Sequence, residues 1–172
     1  MPVAKRVAWL WAALLLDGCT QVHNPDFREQ RISADKIVNL VPQRPVRLTN
    51  GADRTLGNRL LADTGYESIE GDLWKWTEAA IELARREIET RGGNANGDGE
   101  NELILEVSDL ELRQGHWSPR GIAYLRVRYG KRLVKTFSAD VGTKRSGVIA
   151  LEGALRVAVA RMLSDPDIQQ HL

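Results

Sequence analysis

The sequence predicts an α+β fold: a two-layer sandwich in which a mostly antiparallel sheet of about four strands carries two amphipathic helices on one face. Three observations predict it. Two long stretches, opening after Asp72 and after Ser146, repeat apolar residues at helical spacing. The runs between them alternate apolar and polar side chains, as strands do when one face is covered and the other wet. The order strand, helix, three-strand meander, helix supplies two apolar helix stripes, enough to cover one face of such a sheet.

The domain opens with "RPVRLTN", where Val46 and Leu48 alternate with polar neighbours as a short strand. "GADRTLGN" reads as a turn-rich loop. The first helix carries Leu73, Thr77, Ala80, Ile81, Ala84 and Ile88 on one stripe, widened by Trp76 and Leu83. Asp72 is its expected N-cap, and Gly92-Gly93 its end. Trp74 and Trp76 read as core-edge and core residues.

"ELILEVSDLELR" places Leu103, Leu105 and Val107 on one face before the phase slips to Leu110 and Leu112, which predicts a bulge near Ser108-Asp109. "IAYLRVRYG" alternates cleanly. "KRLVKTFSADV" follows after a tight link at Gly130-Lys131, with Lys135 intruding on its apolar side. The last helix bears Val148, Leu151, Leu155, Ala158, Val159 and Met162 behind the N-cap Ser146, and Pro166 marks its stop.

The amino-terminal region has a different character. Lys5 and Arg6 precede "VAWLWAALLL", an apolar run of ten residues. As a helix that run reaches about 15 Å, against a hydrocarbon core of about 30 Å, so it has the layout of an export signal and not of a span. Cys19, the single cysteine, excludes an internal disulfide or a thiolate zinc site. From Gln21 to Arg44 the chain is polar and broken by Pro25 and Pro42, which reads as a flexible tether with a reach of about 28 Å. The expected organisation is a signal at 1–18, a tether at 19–44 and one globular domain at 45–172. His23 is expected to be solvated within the tether.

Charge and motifs narrow the function classes. Removing Lys5, Arg6 and Asp17 from 24 basic and 23 acidic side chains leaves 22 of each. A neutral domain exerts little long-range pull on a polyanion, so nucleic acid is not the expected partner. Asn94, Asn96, Asp98 and Gly99 imitate the start of a calcium loop, but its twelfth position, counted from Asn94, is Leu105 where a bidentate glutamate is needed. A polar helix-to-strand connection explains the same residues. "GTKRSG" before the last helix lacks the ending of a phosphate loop. The histidines, His23, His116 and His171, lie on separate elements, so spacing offers no catalytic pair, metal site or cofactor site, and no enzyme is expected. The wet face of the sheet would show Tyr124, Arg126 and Arg128, with Trp117 and Arg120 from the preceding loop. An aromatic beside guanidinium groups is the composition of a contact surface, and an ordinary solvated sheet face accounts for it equally.

"LDGC", Leu16 to Cys19, resembles the lipobox of bacterial lipoproteins: an aliphatic residue at −3, a small residue at −1 and the cysteine. Asp17 stands at −2, where that pattern has a small uncharged residue. The resemblance implies cleavage after Gly18, a lipid on Cys19 and a lasting membrane anchor from several acyl chains. Thr20, in place of the aspartate that favours inner-membrane retention, leans toward the outer membrane. The element order behind the lipobox, Pro45 to Leu172, resembles the small YajG-like lipoproteins of Gram-negative bacteria and, more distantly, the N-terminal domain of TolB. The resemblance implies an envelope lipoprotein that binds another envelope component, protein or polysaccharide, without catalysis. An envelope hydrolase or a carrier of a small ligand is the alternative, and it would need a pocket with converging polar groups.

Overall fold

The structure, a computed structural model, describes residues 20–28, 30–37, 40–63, 68–97, 101–114, 118–130 and 133–172. Its strands are β1 (Thr20–Val22), β2 (Arg47–Asn50), β3 (Asn58–Asp63), β4 (Ser68–Asp72), β5 (Glu102–Gln114), β6 (Pro119–Tyr129) and β7 (Leu133–Gly142). Its helices are α1 (Leu73–Thr90), α2 (Gly147–Leu163) and the single turn α3 (Pro166–Gln169). The main sheet has the order β2-β5-β6-β7, antiparallel except for the parallel pair β2-β5. The α+β sandwich is therefore present, with α1 and α2 packed on one face of a four-stranded sheet.

Each element ends where its residues require. The Asp72 carboxylate accepts from the Trp74 N–H at 2.9 Å and opens α1. Ser146 Oγ accepts from the Ile149 N–H at 3.4 Å and opens α2. Gly130, with φ 54°, carries the chain out of β6 toward β7. The β5 bulge lies between Val107 and Asp109, as the phase slip predicts. Beside it the Val107 N–H donates to the buried Thr77 Oγ1 at 2.9 Å, and that hydroxyl donates to the Leu73 carbonyl at 2.8 Å. Thr77 thus fastens α1 to the sheet at its one irregular point. Lys135, the intruder on β7, reaches across to the Asp165 carboxylate at 2.8 Å and to Asp167 at 2.5 Å. It caps the turn α3 from outside instead of burying a charge.

Two features depart from the expectations. Beyond the turn-rich "GADRTLGN", where the sequence predicts no strand, β3 and β4 pair antiparallel. With β1 parallel to β4 they make a second, three-stranded sheet of order β1-β4-β3.

The larger difference is the stretch read as a tether. Its described residues lie against the domain: Phe27, Ile32, Ile37 and Leu40 are buried and join the common core. Hydrogen-bonding side chains of the domain hold it. Glu87, 5% exposed, accepts from the Ile32 N–H at 2.9 Å while paired with Arg91 at 2.5 Å. The Arg86 guanidinium donates to the carbonyls of Phe27 and Arg28. His23 is not solvated as expected: its Nε2 lies 2.9 Å from Glu152 Oε1, and its ring meets Trp76 edge-on with centroids 5.8 Å apart. The physical reason is α2. Leu151, Gly153, Ala154, Leu155, Ala158, Val159 and Met162 are all buried, so the helix is apolar on more than the side facing the sheet and needs a second cover. The described residues between Thr20 and Arg44 provide part of it.

Phe27 tests this packing. Phe27→Ala is expected to lower the free energy of unfolding by about 3 kcal/mol, through lost burial and the cavity left behind. Urea denaturation of the full chain measures it. A midpoint unchanged by the substitution would mean that this stretch is detached in solution.

Candidate functional site

The open face of the main sheet is the surface to which the sequence points. Strand alternation sends Arg120, Tyr124, Arg126 and Arg128 of β6 outward in one row, away from the helices, with Ile122 in the same row but buried. Thr136 and Ser138 of β7 stand opposite Arg126 and Tyr124. Four of the five expected contact residues, Arg120, Tyr124, Arg126 and Arg128, therefore share a face. The fifth, Trp117, lies outside the described residues together with His116, Lys131, Arg132 and Cys19.

The face differs from a basic patch. Arg120 pairs with Asp140 at 3.0 Å, Arg126 with Glu106 at 3.5 Å, Arg113 with Glu111 at 2.7 Å and Arg47 with Glu102 at 3.1 Å. Glu102 also accepts from Thr49 at 2.7 Å, so this carboxylate belongs to the sheet. These carboxylates come from neighbouring strands or from the same strand two residues away, and only register brings most of them to the arginines. Arg128 is exposed and has no ion-pair partner among the described residues. Val134, 60% exposed, stands opposite it on the edge strand. Among the described residues the face is a balanced lattice of ion pairs, with the Arg128 guanidinium free and the exposed Val134 beside it.

The same lattice perturbs titration. The Arg113 guanidinium, and after it the neighbouring Tyr124 hydroxyl, hold the Glu111 carboxyl below its ordinary value. The partnership with Glu111 raises the Tyr124 phenol in turn, because ionising it would set two anions side by side. Hydrogen bonding to Asp140 raises Arg120.

Elsewhere the helical side has concave regions. A cavity of about 640 Å³ lies at the chain's end beside Arg44, Tyr129 and His171. There the His171 imidazole stacks on Tyr129 with centroids 3.5 Å apart. Burial, then the charge of Arg44, lowers its pKa. One of about 410 Å³ runs between residues 24–28 and α1, where Lys75 and Arg85 flank Glu78 and Glu82. A third, of about 290 Å³, lies between residues 31–36 and α2. Among the described residues no group of three histidine, cysteine or acidic side chains is placed to hold a metal ion. None of the helices described is long and apolar enough to cross a membrane.

Fold and face together define a small α+β sandwich domain with an open sheet face. No family model matches the chain, and no curated protein matches it. Among solved structures it is similar to a crystal structure of a Xanthomonas campestris protein of DUF330, with a TM-score of 0.47 and 14% identity over 84% of this chain and 91% of that one.

The Tyr124–Glu111 partnership is open to direct measurement. Glu111→Gln is expected to bring the Tyr124 pKa down toward 10.0, its ordinary value, when the ring resonances are followed by NMR against pH. Because the folded pKa of Glu111 is depressed, its contribution to stability is present above about its ordinary 4.5 and is lost as pH falls through the folded value. A Tyr124 titration identical in the variant would disprove the contact.

Proposed function

We propose that the chain is an outer-membrane lipoprotein, anchored through Cys19 and facing the periplasm, whose domain binds another component of the cell envelope, protein or polysaccharide. The observation that carries the reading is the lipobox-like Leu16–Cys19 sequence with β1 starting at the very next residue, Thr20. The His23 N–H continues this edge by donating to the Glu70 carbonyl at 2.8 Å. An acyl group on Cys19 would sit one residue from a strand, so the domain would be held at the membrane surface in a restricted orientation. The open face supports the binding half of the proposal. Its ion pairs keep it soluble, while Arg128, Tyr124 and Val134 offer a guanidinium, a phenol and an apolar contact.

Intact mass of the protein purified from membranes, beside a Cys19→Ala variant, tests the anchor. The expected mass is that of residues 19–172 plus acyl groups, absent from the variant. An unacylated chain, or one starting elsewhere, rejects the anchor. A photo-crosslinker at Thr136 tests the face. It is expected to trap an envelope partner that a crosslinker at Arg59, exposed on β3, does not trap, and Arg128→Glu is expected to cut the yield several-fold. Equal trapping from both positions would remove the sheet face as the contact.

A further inference from the structure

The cavity of about 290 Å³ between residues 31–36 and α2 has an apolar floor and a cationic rim. Ile32, Val141 and Val157 form the floor, and Arg31, Lys36 and Arg156 the rim. Ser33 adds a hydroxyl. None of the three cations forms an ion pair among the described residues, in a domain where most arginines of the sheet face do.

The reason is visible for Arg156. Its natural partner on a helix is the residue four positions earlier, Glu152, but Glu152 Oε1 is engaged by His23 Nε2 at 2.9 Å. Asp35, in the same turn as Lys36, is exposed and pairs with none of the three. Glu87, the nearby acidic residue that holds Ile32, is committed to Arg91. Three positive charges are thus gathered on one concavity while each nearby carboxylate is exposed or engaged elsewhere. Gathering them costs mutual repulsion, which a bound anion would relieve.

We infer that this cavity binds a phosphate group, either as inorganic phosphate or as the phosphate of a lipid headgroup. Several oxygens on a tetrahedral dianion can accept from two guanidinium groups, an ammonium and a hydroxyl at once, which a single carboxylate does less completely. The apolar floor accommodates a short alkyl or glyceryl body attached to the phosphate. The volume is near the lower end for ligand sites, which suits a headgroup or a free anion and excludes a nucleotide-sized body. The site stands apart from the open sheet face and does not depend on acylation of Cys19.

Thermal unfolding of the full chain in detergent, at constant ionic strength, reads the site. Inorganic phosphate and dihexanoyl phosphatidic acid are the probes, and dihexanoyl phosphatidylcholine is the zwitterionic control. A saturable rise in Tm with phosphate, matched but not exceeded by the phosphatidic acid, identifies free phosphate. A rise that saturates at lower concentration with phosphatidic acid, and is absent with phosphatidylcholine, identifies the headgroup. In either case Arg156→Gln weakens apparent affinity by about tenfold, the loss expected for one charge-assisted partner, and Arg59→Gln leaves it unchanged. Arg156 is half-buried, so Arg31→Gln and Lys36→Gln, at exposed positions, carry the same test if Arg156→Gln fails to fold. No saturable shift with either probe, or a shift retained in all three rim variants, overturns the site.

Discussion

A β-carbon at Gly121 would stand 2.4 Å from the carbonyl carbon of Ala150 and 2.4 Å from the amide nitrogen of Leu151, so α2 lies on β6 at a separation that only glycine permits. Much of the architecture follows from that close approach. The contact needs small residues on the helix as well, and Ala150, Ala154 and Ala158 are fully buried. A helix built mostly from alanine, leucine, valine and glycine, with Glu152, Arg156 and Arg161 as its charged residues, has little polar surface to turn outward. Its far side must be buried too, and the chain's own residues 20–44 help to do so.

That second cover rests on polar contacts as much as on apolar ones. Phe27, Ile32, Ile37 and Leu40 contribute apolar area, but an irregular segment also brings backbone amides and carbonyls out of water. Glu87 takes the Ile32 N–H, Arg86 takes two carbonyls, and Ser164 Oγ donates to the Lys36 carbonyl at 3.3 Å. The main-chain carbonyl of Leu172 accepts from Gln43 and Arg44, so the end of the chain closes the same layer. Glu87 is the most consequential of these groups. Its burial is tolerable because Arg91 and a backbone donor satisfy it together, and loss of either would leave a charge inside.

Periodicity made the main sandwich legible because both helices and the three long strands bury one side against a common core. The helix caps and the bulge at Val107-Asp109 were legible for the same local reasons. What escaped was non-local. The segment at 20–44 is polar in composition, and its few apolar residues have no period, so nothing within it announces packing. The signal lay in another element: α2 carries Ala150, Ala154, Ala160 and Leu163 beyond its main stripe, more apolar surface than one sheet face can cover. The face of β6 was foreseen as a row, but not its neutralisation, because Asp140 and Glu106 reach Arg120 and Arg126 through strand register. The strands β3 and β4 leave no such signal, since "NRLLAD" and "SIEGD" show no sustained alternation.

A docked segment changes what an anchor at Cys19 would do. A free chain of that length would let the domain explore a hemisphere of about 28 Å radius, with every face presented equally. Docked, the same residues leave no slack: β1 is paired to β4 from its first residue, and the chain then crosses the helical layer to Leu40. The open sheet face lies on the opposite side of the sandwich from that crossing. An anchored domain of this kind would find a partner by presenting a fixed face within a thin layer above the membrane, where orientation raises effective concentration more than reach does. The same docking places the floor residue Ile32 and the rim residues Arg31 and Lys36 against Arg156, so the cationic cavity exists only while the segment is bound. Release of residues 20–44 would dismantle the cavity and expose the far side of α2 together, which couples the candidate ligand site to the integrity of the core.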